Sequence, residues 1–474
     1  MSHEASLQPI ERQALWRRLP PEWPEDVWPQ IREEVAASGH TVVVLDDDPT
    51  GTQTVHGVPV LTGWSLEDLR AELARDQRCF YILTNSRSLT AAQAEELNAL
   101  LGERLRQAWE ATGRSFVVVS RSDSTLRGHF PGEVAALART LRAKFDGWLI
   151  IPFFLEGGRY TVNNVHYVDE GGVLVPAGQT EFARDPAFGY RSSDLREWVA
   201  EKMGPPITPA DVEAISLEEI RLGGPGRVTD RLLGLNDGRP CVVNAASYRD
   251  MEVFVLGLLR AEARGKRYLY RTAASFVRVR AAIDPRGLLD AEDLADERED
   301  AGVIVVGSHV PRSTRQLEEL LCRSDVAAME LSVPRLLDAT AREQEISRAV
   351  EDMESALRQG HHAVAYTSRD LIAGSSAEES LAIGRSVSDA LVELVQRLSV
   401  RPRFIVAKGG ITSSDVATRG LGVRRAEVLG QILPGIPVWR LGPESRFPGL
   451  TYVVFPGNVG GPTALAEVVA RLAG

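Results

Sequence analysis

Short apolar runs rich in β-branched residues alternate with amphipathic stretches along most of the chain. In the first half, the apolar runs cover residues 41–45, 79–83, 116–119 and 148–151. Runs of this length are typical of buried strands, and the amphipathic stretches between them are typical of connecting helices. The alternation therefore predicts an α/β domain whose sheet strands are joined by crossover helices.

Two helices of this half carry clear signals. Thr90 and Gln93 have the spacing of a capping box, which predicts a helix start. A second helix is predicted from Pro131, because proline suits the first helical turn. The predicted buried stripes are Leu97, Leu101, Leu105 and Trp109 in the first helix, and Val134, Leu137 and Leu141 in the second.

The alternation resumes after an acidic stretch. Residues 284–300 lack apolar runs, so we expect a connector or an exposed helix there. Beyond them, strands are predicted at 303–306, 363–366, 404–407 and 452–455. Helices are predicted through Leu317 and Leu321, from about Ala377 with a Ser376/Glu379 capping box, and through Leu465, Val469 and Leu472.

These patterns predict two α/β domains with mainly parallel sheets. A chain of 474 residues is long enough for two hydrophobic cores. We place the first domain at 41–283, a linker at 284–300 and the second domain at 301–474. Residues 1–40, rich in Trp, Pro and charge, are predicted to form a helical extension.

Composition excludes several classes of function. The formal charge of −11 and the pI near 5.4 provide no basic surface for nucleic acid. Neither a membrane-length apolar run nor a signal peptide is recognisable, so a cytoplasmic location without membrane contact is predicted. Cys79, Cys241 and Cys322 are widely spaced and are predicted to be reduced core residues. The oligomeric state is open, and a homodimer is compatible with the sequence.

Three loops of the second domain predict a nucleotide site. The segments 307–309, 408–413 and 456–461 are rich in glycine and each precedes a predicted helix. Glycine lets backbone N–H groups approach a polyphosphate closely, and a helix N-terminus adds partial positive charge. A single turn of this kind is usually only a turn, whereas three in one domain favour a site. Lys408 fits either a phosphate contact or a solvated side chain.

The loops of the first domain carry charge and hydroxyl groups instead. Residues 46–52, 84–88 and 120–128 each follow a predicted strand. Arginine binds carboxylates in a bidentate manner, and Asp or Asn accepts hydrogen bonds from sugar hydroxyls. This set therefore predicts a site for a polyol that bears a carboxylate. Arg159 and Arg184 are further candidate contacts, whereas His166 is interpreted as structural.

A series of short motifs, taken in their order along the chain, resembles the motifs of the four-carbon acid sugar kinase family. The motifs are Asp47-Asp48-Pro49-Thr50-Gly51, Ser86-Arg87-Ser88, 122–128, Gly158-Arg159-Tyr160-Thr161, 183–186, Gly409-Gly410-Ile411-Thr412 and 455–458. The resemblance extends from about residue 41 to the C-terminus. The chain departs from the family pattern at Pro49, Ile411 and His129.

The resemblance implies an acid-sugar domain followed by a nucleotide domain, with a ligand cleft between them. It implies transfer of a phosphoryl group from ATP, with Mg²⁺, to an acid such as threonate, erythronate or 3-oxo-tetronate. The sugar contacts would be Asp47, Asp48, Arg87, Asp123, Arg127 and Arg159, with Asp47 and Asp123 in catalysis. The nucleotide contacts would be Ser308, Gly409, Gly410, Ile411, Thr412 and Gly457. Metal ligands are not assigned.

Two alternatives remain at this level. The sequence from Asp46 to Thr50 also fits the DxDxT motif of haloacid dehalogenase-type phosphatases, with Asp46 as nucleophile and Asp48 as acid/base. The later acidic motif that would bind Mg²⁺ in such a phosphatase is missing from the sequence. This interpretation also gives the second half of the chain no role. A non-catalytic sugar-acid sensor would use the same loops for binding only.

Overall fold

The structure is a computed structural model that describes residues 7–294, 301–308, 310–369, 377–457 and 459–474. The described residues divide into two compact units. Unit 1 contains residues 7–54 and 63–285, and unit 2 contains residues 55–62 and 286–474 without the undescribed positions. Each unit has its own hydrophobic core.

The strands are short, and several consist entirely of buried residues. They are β1 Ile10–Glu11, β2 Thr41–Asp46, β3 Val58–Leu61, β4 Cys79–Leu83, β5 Phe116–Arg121, β6 Gly147–Ile151, β7 Arg159–Val162, β8 Val165–Glu170, β9 Val173–Pro176, β10 Glu213–Ile215, β11 Arg239–Val243, β12 Tyr268–Thr272, β13 Val303–Val306, β14 Val326–Leu331, β15 His362–Thr367, β16 Phe404–Lys408, β17 Arg425–Leu433, β18 Ile436–Leu441 and β19 Thr451–Phe455.

The helices connect these strands. They are α1 Arg12–Trp16, α2 Trp28–Ser38, α3 Leu66–Leu73, α4 Ala91–Thr112, α5 Gly132–Thr140, α6 Leu195–Met203, α7 Leu217–Arg221, α8 Gly224–Leu233, α9 Tyr248–Ala263, α10 Ala274–Arg280, α11 Ala291–Leu294, α12 Pro311–Leu321, α13 Val333–Leu337, α14 Arg342–Arg358, α15 Ala377–Arg397, α16 Gly410–Asp415 and α17 Ala464–Ala473. Among the helices of the described residues, none is long and apolar enough to cross a membrane.

The main sheet of unit 1 is parallel in the order β10-β11-β6-β12-β5-β2-β4. Parallel strands end at the same edge of a sheet, so the loops after β2, β4, β5 and β12 come together there. A smaller antiparallel sheet has the order β1-β9-β8-β7, in which Ile10 pairs with Leu174. The N-terminal extension therefore contributes a strand to unit 1 in addition to helices.

The sheet of unit 2 mixes strand directions. Its order is β3-β17-β18-β19-β16-β13-β15-β14. The strands from β19 to β14 are parallel, and β3, β17 and β18 are antiparallel to their neighbours. The carboxyl ends of β13, β16 and β19 therefore lie side by side at one edge.

The structure confirms two α/β units with mainly parallel sheets. The capping box of Thr90 and Gln93 is present at the start of α4. Pro131 is the N-cap residue of α5, one position before the helix. The predicted capping residue Ser376 lies outside the described residues, and so does the side chain of Glu379.

Other sequence interpretations differ from the structure. The segment 55–62, placed in the first domain, contains β3 and pairs with β17 in unit 2, which no local pattern could reveal. Strand β17 was not predicted because its residues alternate between buried and partly exposed, so a continuous apolar run is absent. Leu289 and Leu294 of the expected connector pack into the core of unit 2. Cys322 is exposed, so its assignment to the core is wrong.

The close packing of α4 against α5 depends on Gly102. A Cβ atom at this position would lie 2.1 Å from Thr140 Oγ1, and that hydroxyl already donates a hydrogen bond to Ala136 O. We predict that Gly102→Ala lowers the free energy of unfolding by about 1–3 kcal/mol through overpacking. Urea denaturation measures this change.

The matched control is Gly226, a helical glycine of α8 with open space around its Cα. Gly226→Ala should be neutral or stabilise the protein by up to about 1 kcal/mol, because alanine favours the helix. Equal effects of the two substitutions would contradict the packing argument.

Candidate functional site

Unit 1 brings together the charged residues that follow its neighbouring strands. Asp46 ends β2, and Asp47 and Asp48 follow it. Arg87 lies on the 3-10 turn Ser86–Ser88 after β4. Arg121, Asp123 and Arg127 end β5 or follow it. We call this set, together with Arg271 at the end of β12, the Asp–Arg cluster. Five predicted sugar contacts, Asp47, Asp48, Arg87, Asp123 and Arg127, are in this set.

Arg87 is the central cation of the Asp–Arg cluster. Its Nη2 donates to Asp47 Oδ1 at 2.6 Å and its Nε donates to Asp47 Oδ2 at 3.1 Å, which is a bidentate pair. Its Nη1 lies 3.4 Å from Asp48 Oδ2. Burial alone would lower the pKa of Arg87, but the two carboxylates raise it well above its usual value. Arg87 therefore stays charged and fixes the orientation of both aspartates.

Asp46 is sealed from solvent, with only 2% of its surface exposed. Its Oδ1 accepts a hydrogen bond of 3.0 Å from Arg121 Nη1. Burial raises the pKa of Asp46 to about 7, although the Arg121 guanidinium opposes this shift. A Cβ at Gly51 would lie 2.1 Å from Asp46 Oδ2, so the following turn closes over the carboxylate. This burial is unfavourable for the phosphatase interpretation, in which Asp46 would be an accessible nucleophile.

Asp123 is held by its own loop. Arg127 Nε donates to Asp123 Oδ2 at 2.7 Å, and the Thr125 hydroxyl donates to the same oxygen. Arg127 also lies 3.6 Å from Asp185 Oδ2. Burial would raise the pKa of Asp123, but the Arg87 and Arg127 guanidinium groups hold it well below its usual range. Asp123 is thus an ionised hydrogen-bond acceptor and a weak base.

Arg271 was missed in the sequence. It is 2% exposed, and its Nη2 donates to Asp123 O and to Arg127 O, both at 3.0 Å. The guanidinium also lies 5.2 Å from the centre of the Trp198 ring. These bonds tie the loop after β5 to β12. The only signal was a charged residue inside the buried strand YLYRT.

Arg159 and its neighbours extend the cluster toward the small sheet. Arg159 begins β7, and its guanidinium lies 5.9 Å from the centre of the Phe182 ring. Burial lowers the pKa of Arg159. His166 is fully buried, with Nε2 2.7 Å from Ser124 O, and burial lowers its pKa to about 3. Arg184 is exposed on the turn that also carries Phe182.

A buried glutamate, Glu133, stabilises the turn that carries Arg87 by accepting a hydrogen bond from Ser86. Glu133 is 4% exposed and accepts hydrogen bonds from the Ser86 hydroxyl and, at 3.2 Å, from Asn98 Nδ2. Burial raises the pKa of Glu133 to about 7, and the nearby Asp47 carboxylate adds to this shift. Glu133 looks like an ordinary helix residue in the sequence, so nothing there indicated this role.

In unit 2 the three predicted loops meet at the carboxyl ends of β13, β16 and β19. Gly409 N donates to Phe455 O at 2.8 Å, and a Cβ at Gly457 would lie 3.6 Å from Ser308 Oγ. A Cβ at Gly307 would lie 2.3 Å from Thr412 Oγ1. We call Ser308, Gly409–Thr412 and Gly457 the glycine loops. His309 and Asn458 lie outside the described residues.

Two positions near these loops refine the sequence interpretation. Lys408 is fully buried rather than solvated: its Nζ donates to Pro456 O at 2.6 Å and lies 4.1 Å from the centre of the Phe455 ring. Burial lowers the pKa of Lys408 to about 7, and the Arg312 charge adds to this shift. Ile411 is 60% exposed, so only its backbone is suited to a phosphate contact. Gly409 has φ +114°, which favours glycine.

The raised pKa of Glu133 yields a stability prediction. Because its folded pKa of about 7 exceeds the unfolded value of 4.5, stability falls as pH rises between these values and the loss is complete above pH 7. Glu133→Gln keeps an oxygen acceptor for Ser86 and Asn98 but removes the charge. We predict that it raises the free energy of unfolding by about 1–3 kcal/mol at pH 8 and by much less at pH 5. Urea denaturation at both pH values tests this.

Glu96, exposed on the same helix as Asn98, provides the control. Glu96→Gln should change stability little at either pH. A Glu133→Gln effect that is the same at both pH values would contradict a buried, titrating carboxyl group.

Comparisons with known proteins agree with this division into two units. The family model of a sugar-binding N-terminal domain matches residues 42–280, and that of a nucleotide-binding C-terminal domain matches residues 303–465. The D-threonate kinase of Salmonella typhimurium is 26% identical over 449 residues, which cover 90% of this chain and 97% of the relative.

Two solved structures have the same fold. A Haemophilus influenzae protein matches with a TM-score of 0.62 at 17% identity, over 91% of this chain and all of its own. A protein of Salmonella typhimurium LT2 matches with a TM-score of 0.66 at 16% identity, over 90% of this chain and 98% of its own. Together with the two matching domain models, these findings establish that the chain is a kinase and belongs to the four-carbon acid sugar kinase family.

Proposed function

We propose that the protein transfers the γ-phosphoryl group of ATP to a hydroxyl of a four-carbon sugar acid such as threonate. The observation that carries this proposal is the Asp–Arg cluster with Arg159 beside it, where carboxylates suited to hydroxyl groups adjoin a guanidinium suited to a carboxylate. The similarity to a D-threonate kinase over both units supports the four-carbon class.

On the acid side, Asp47, Asp48 and Asp123 would accept hydrogen bonds from the substrate hydroxyls. Their arginine partners keep them oriented, so little rearrangement is needed when the substrate binds. The accepting hydroxyl oxygen would attack the γ-phosphorus, the bond from phosphorus to the ADP oxygen would break, and the hydroxyl proton would leave to a carboxylate. Asp123 is poorly suited to this last role, because its pKa lies well below its usual range.

On the nucleotide side, the glycine loops would bind the phosphates through backbone N–H groups and the hydroxyls of Ser308 and Thr412. The conformation of Gly409 leaves room for close approach of a phosphate oxygen. Lys408 would act indirectly, because its ammonium group is buried under the turn at Pro456 and Gly457. Catalysis would rest on positioning and charge neutralisation.

The described residues do not build a magnesium site on their own. No three His, Cys, Asp or Glu side chains of the described part of the chain are grouped as metal ligands. The glycine loops provide hydroxyl and carbonyl oxygens but no carboxylate. Mg²⁺ in kinases is commonly held by substrate phosphates with one or two carboxylates, so we infer that it would enter with the nucleotide.

The first test is an ATP-consumption screen over threonate, erythronate and their oxo forms. We expect turnover with at least one four-carbon acid. Activity restricted to five- or six-carbon acids would overturn the four-carbon assignment. Absence of both ATP binding and turnover would favour a sugar-acid sensor over an ATP-dependent kinase.

Asp47 and Asp123 are the predicted catalytic positions. Asp47→Asn and Asp123→Asn should each lower kcat by two or more orders of magnitude, because the charge that orients the hydroxyl is lost while the shape is kept. The control is Asp76→Asn, which changes a fully exposed carboxylate that pairs with Arg114. Thermal melting must show folded variants, and near-normal kcat in both site variants would refute these roles.

Gly409 is predicted to be essential for nucleotide binding. A Cβ there would meet Ser308 Cβ at 3.3 Å and would be strained by the positive φ. Gly409→Ala should therefore weaken ATP binding about tenfold or more in calorimetry. Gly360→Ala is the matched control, because Gly360 also has a positive φ, +76°, but has open space around its Cα and lies between α14 and β15, outside the glycine loops. Unchanged ATP affinity of Gly409→Ala would remove the glycine loops from the proposed site.

A further inference from the structure

Arg159 differs in its charge balance from Arg87, Arg121 and Arg127, and it differs from Arg271 in being only partly buried. Arg87, Arg121 and Arg127 each lie within 3.6 Å of at least one aspartate carboxylate. Within the described residues, no carboxylate forms an ion pair with Arg159, and its Nε is buried without a hydrogen-bond partner. The nearby carboxylate of Asp169 is already bound by Arg12 Nη1 at 2.6 Å. Arg159 therefore carries a positive charge that lacks a close partner.

Phe182 brings this charge next to a second guanidinium. Its ring centre lies 5.0 Å from Arg127 Cζ and 5.9 Å from Arg159 Cζ. Guanidinium groups are attracted to an aromatic face, and stacking leaves their N–H edges free to donate hydrogen bonds. Burial lowers the pKa of Arg159, and the Arg127 charge adds to this shift. The ring offsets part of the repulsion between the two like charges.

The charges around Arg127 and Arg159 indicate on which side of this pair an anion would bind. Asp123 interacts electrostatically with Arg87, Arg127 and Arg159, so it lies among the three cations. Arg127 is bonded to Asp123 and near Asp185, whereas no carboxylate of the described residues lies within ion-pair distance of Arg159. An incoming anion is therefore favoured on the Arg159 side, and hydroxyl groups are favoured on the side of Asp47 and Asp48.

We propose that Arg159 binds the carboxylate of the substrate and that Phe182 determines specificity by holding Arg159 and Arg127 in position. This inference rests on the proposed function and adds the orientation of the substrate. The carboxylate would lie at Arg159, and the hydroxyl groups would point to Asp47 and Asp48. The site would then select sugar acids over neutral polyols of the same length.

The test compares D-threonate with threitol, its neutral counterpart, in phosphoryl transfer. Arg159→Gln should lower kcat/KM for D-threonate about 10- to 100-fold, because a charge-assisted hydrogen bond is lost, and should leave the threitol value nearly unchanged. Phe182→Leu should raise KM for D-threonate with a smaller change in kcat. Phe182→Tyr, which keeps an aromatic ring, should have a KM close to that of the wild type. Calorimetry with D-threonate should show the same order of affinities.

Arg191→Gln is the matched control, since 89% of the Arg191 side chain is exposed and its Nε lies 3.6 Å from Glu201 Oε1. It should behave like the wild type. If the wild-type chain phosphorylates D-threonate and Arg159→Gln behaves like Arg191→Gln, this inference is overturned and the proposed function stands. If Phe182→Leu lowers kcat/KM equally for D-threonate and threitol and also lowers the melting temperature, Phe182 has only a structural role. If the wild-type chain uses no sugar acid, the proposed function itself is overturned.

Discussion

The compensation of buried charge at the carboxyl edge of the parallel sheet is the constraint on which unit 1 depends. Asp46 and Asp47 are almost fully buried, and unpaired carboxylates there would be costly. Arg121 and Arg87 neutralise them, and the pairs in turn fix the loops after β2, β4 and β5. Because the aspartates are already oriented, hydroxyl groups can be bound without reorganising the protein.

In the proposed function, unit 2 would bind the nucleotide phosphates by a different route. Its glycine loops lack carboxylates and present backbone N–H groups and hydroxyls at the ends of three neighbouring strands. The buried Lys408 ammonium group donates hydrogen bonds to the carbonyl oxygens of Pro456 and Gly457. These bonds hold the loop in its conformation. The two units therefore divide the chemistry, with fixed charges in the first and backbone donors in the second.

The sequence predicted what is set by local pattern. Asp47, Arg87 and Asp123 follow strands of one parallel sheet, so their proximity could be inferred before the structure. Arg271, Glu133 and Phe182 could not: the first lies inside a buried strand, the second resembles any helix glutamate, and the third sits on an irregular turn. The pairing of β3 with β17 joins residues far apart in sequence, and Lys408 is buried by a turn almost 50 residues away.

The most direct measurement is phosphorus NMR of the chain incubated with ATP, Mg²⁺ and D-threonate. We expect a new phosphomonoester signal that grows in step with ADP, while inorganic phosphate stays at the level of a control without acid. Formation of ADP and inorganic phosphate alone would contradict phosphoryl transfer to the acid. An unchanged ATP spectrum with this and every other four-carbon acid would contradict the proposed substrate class.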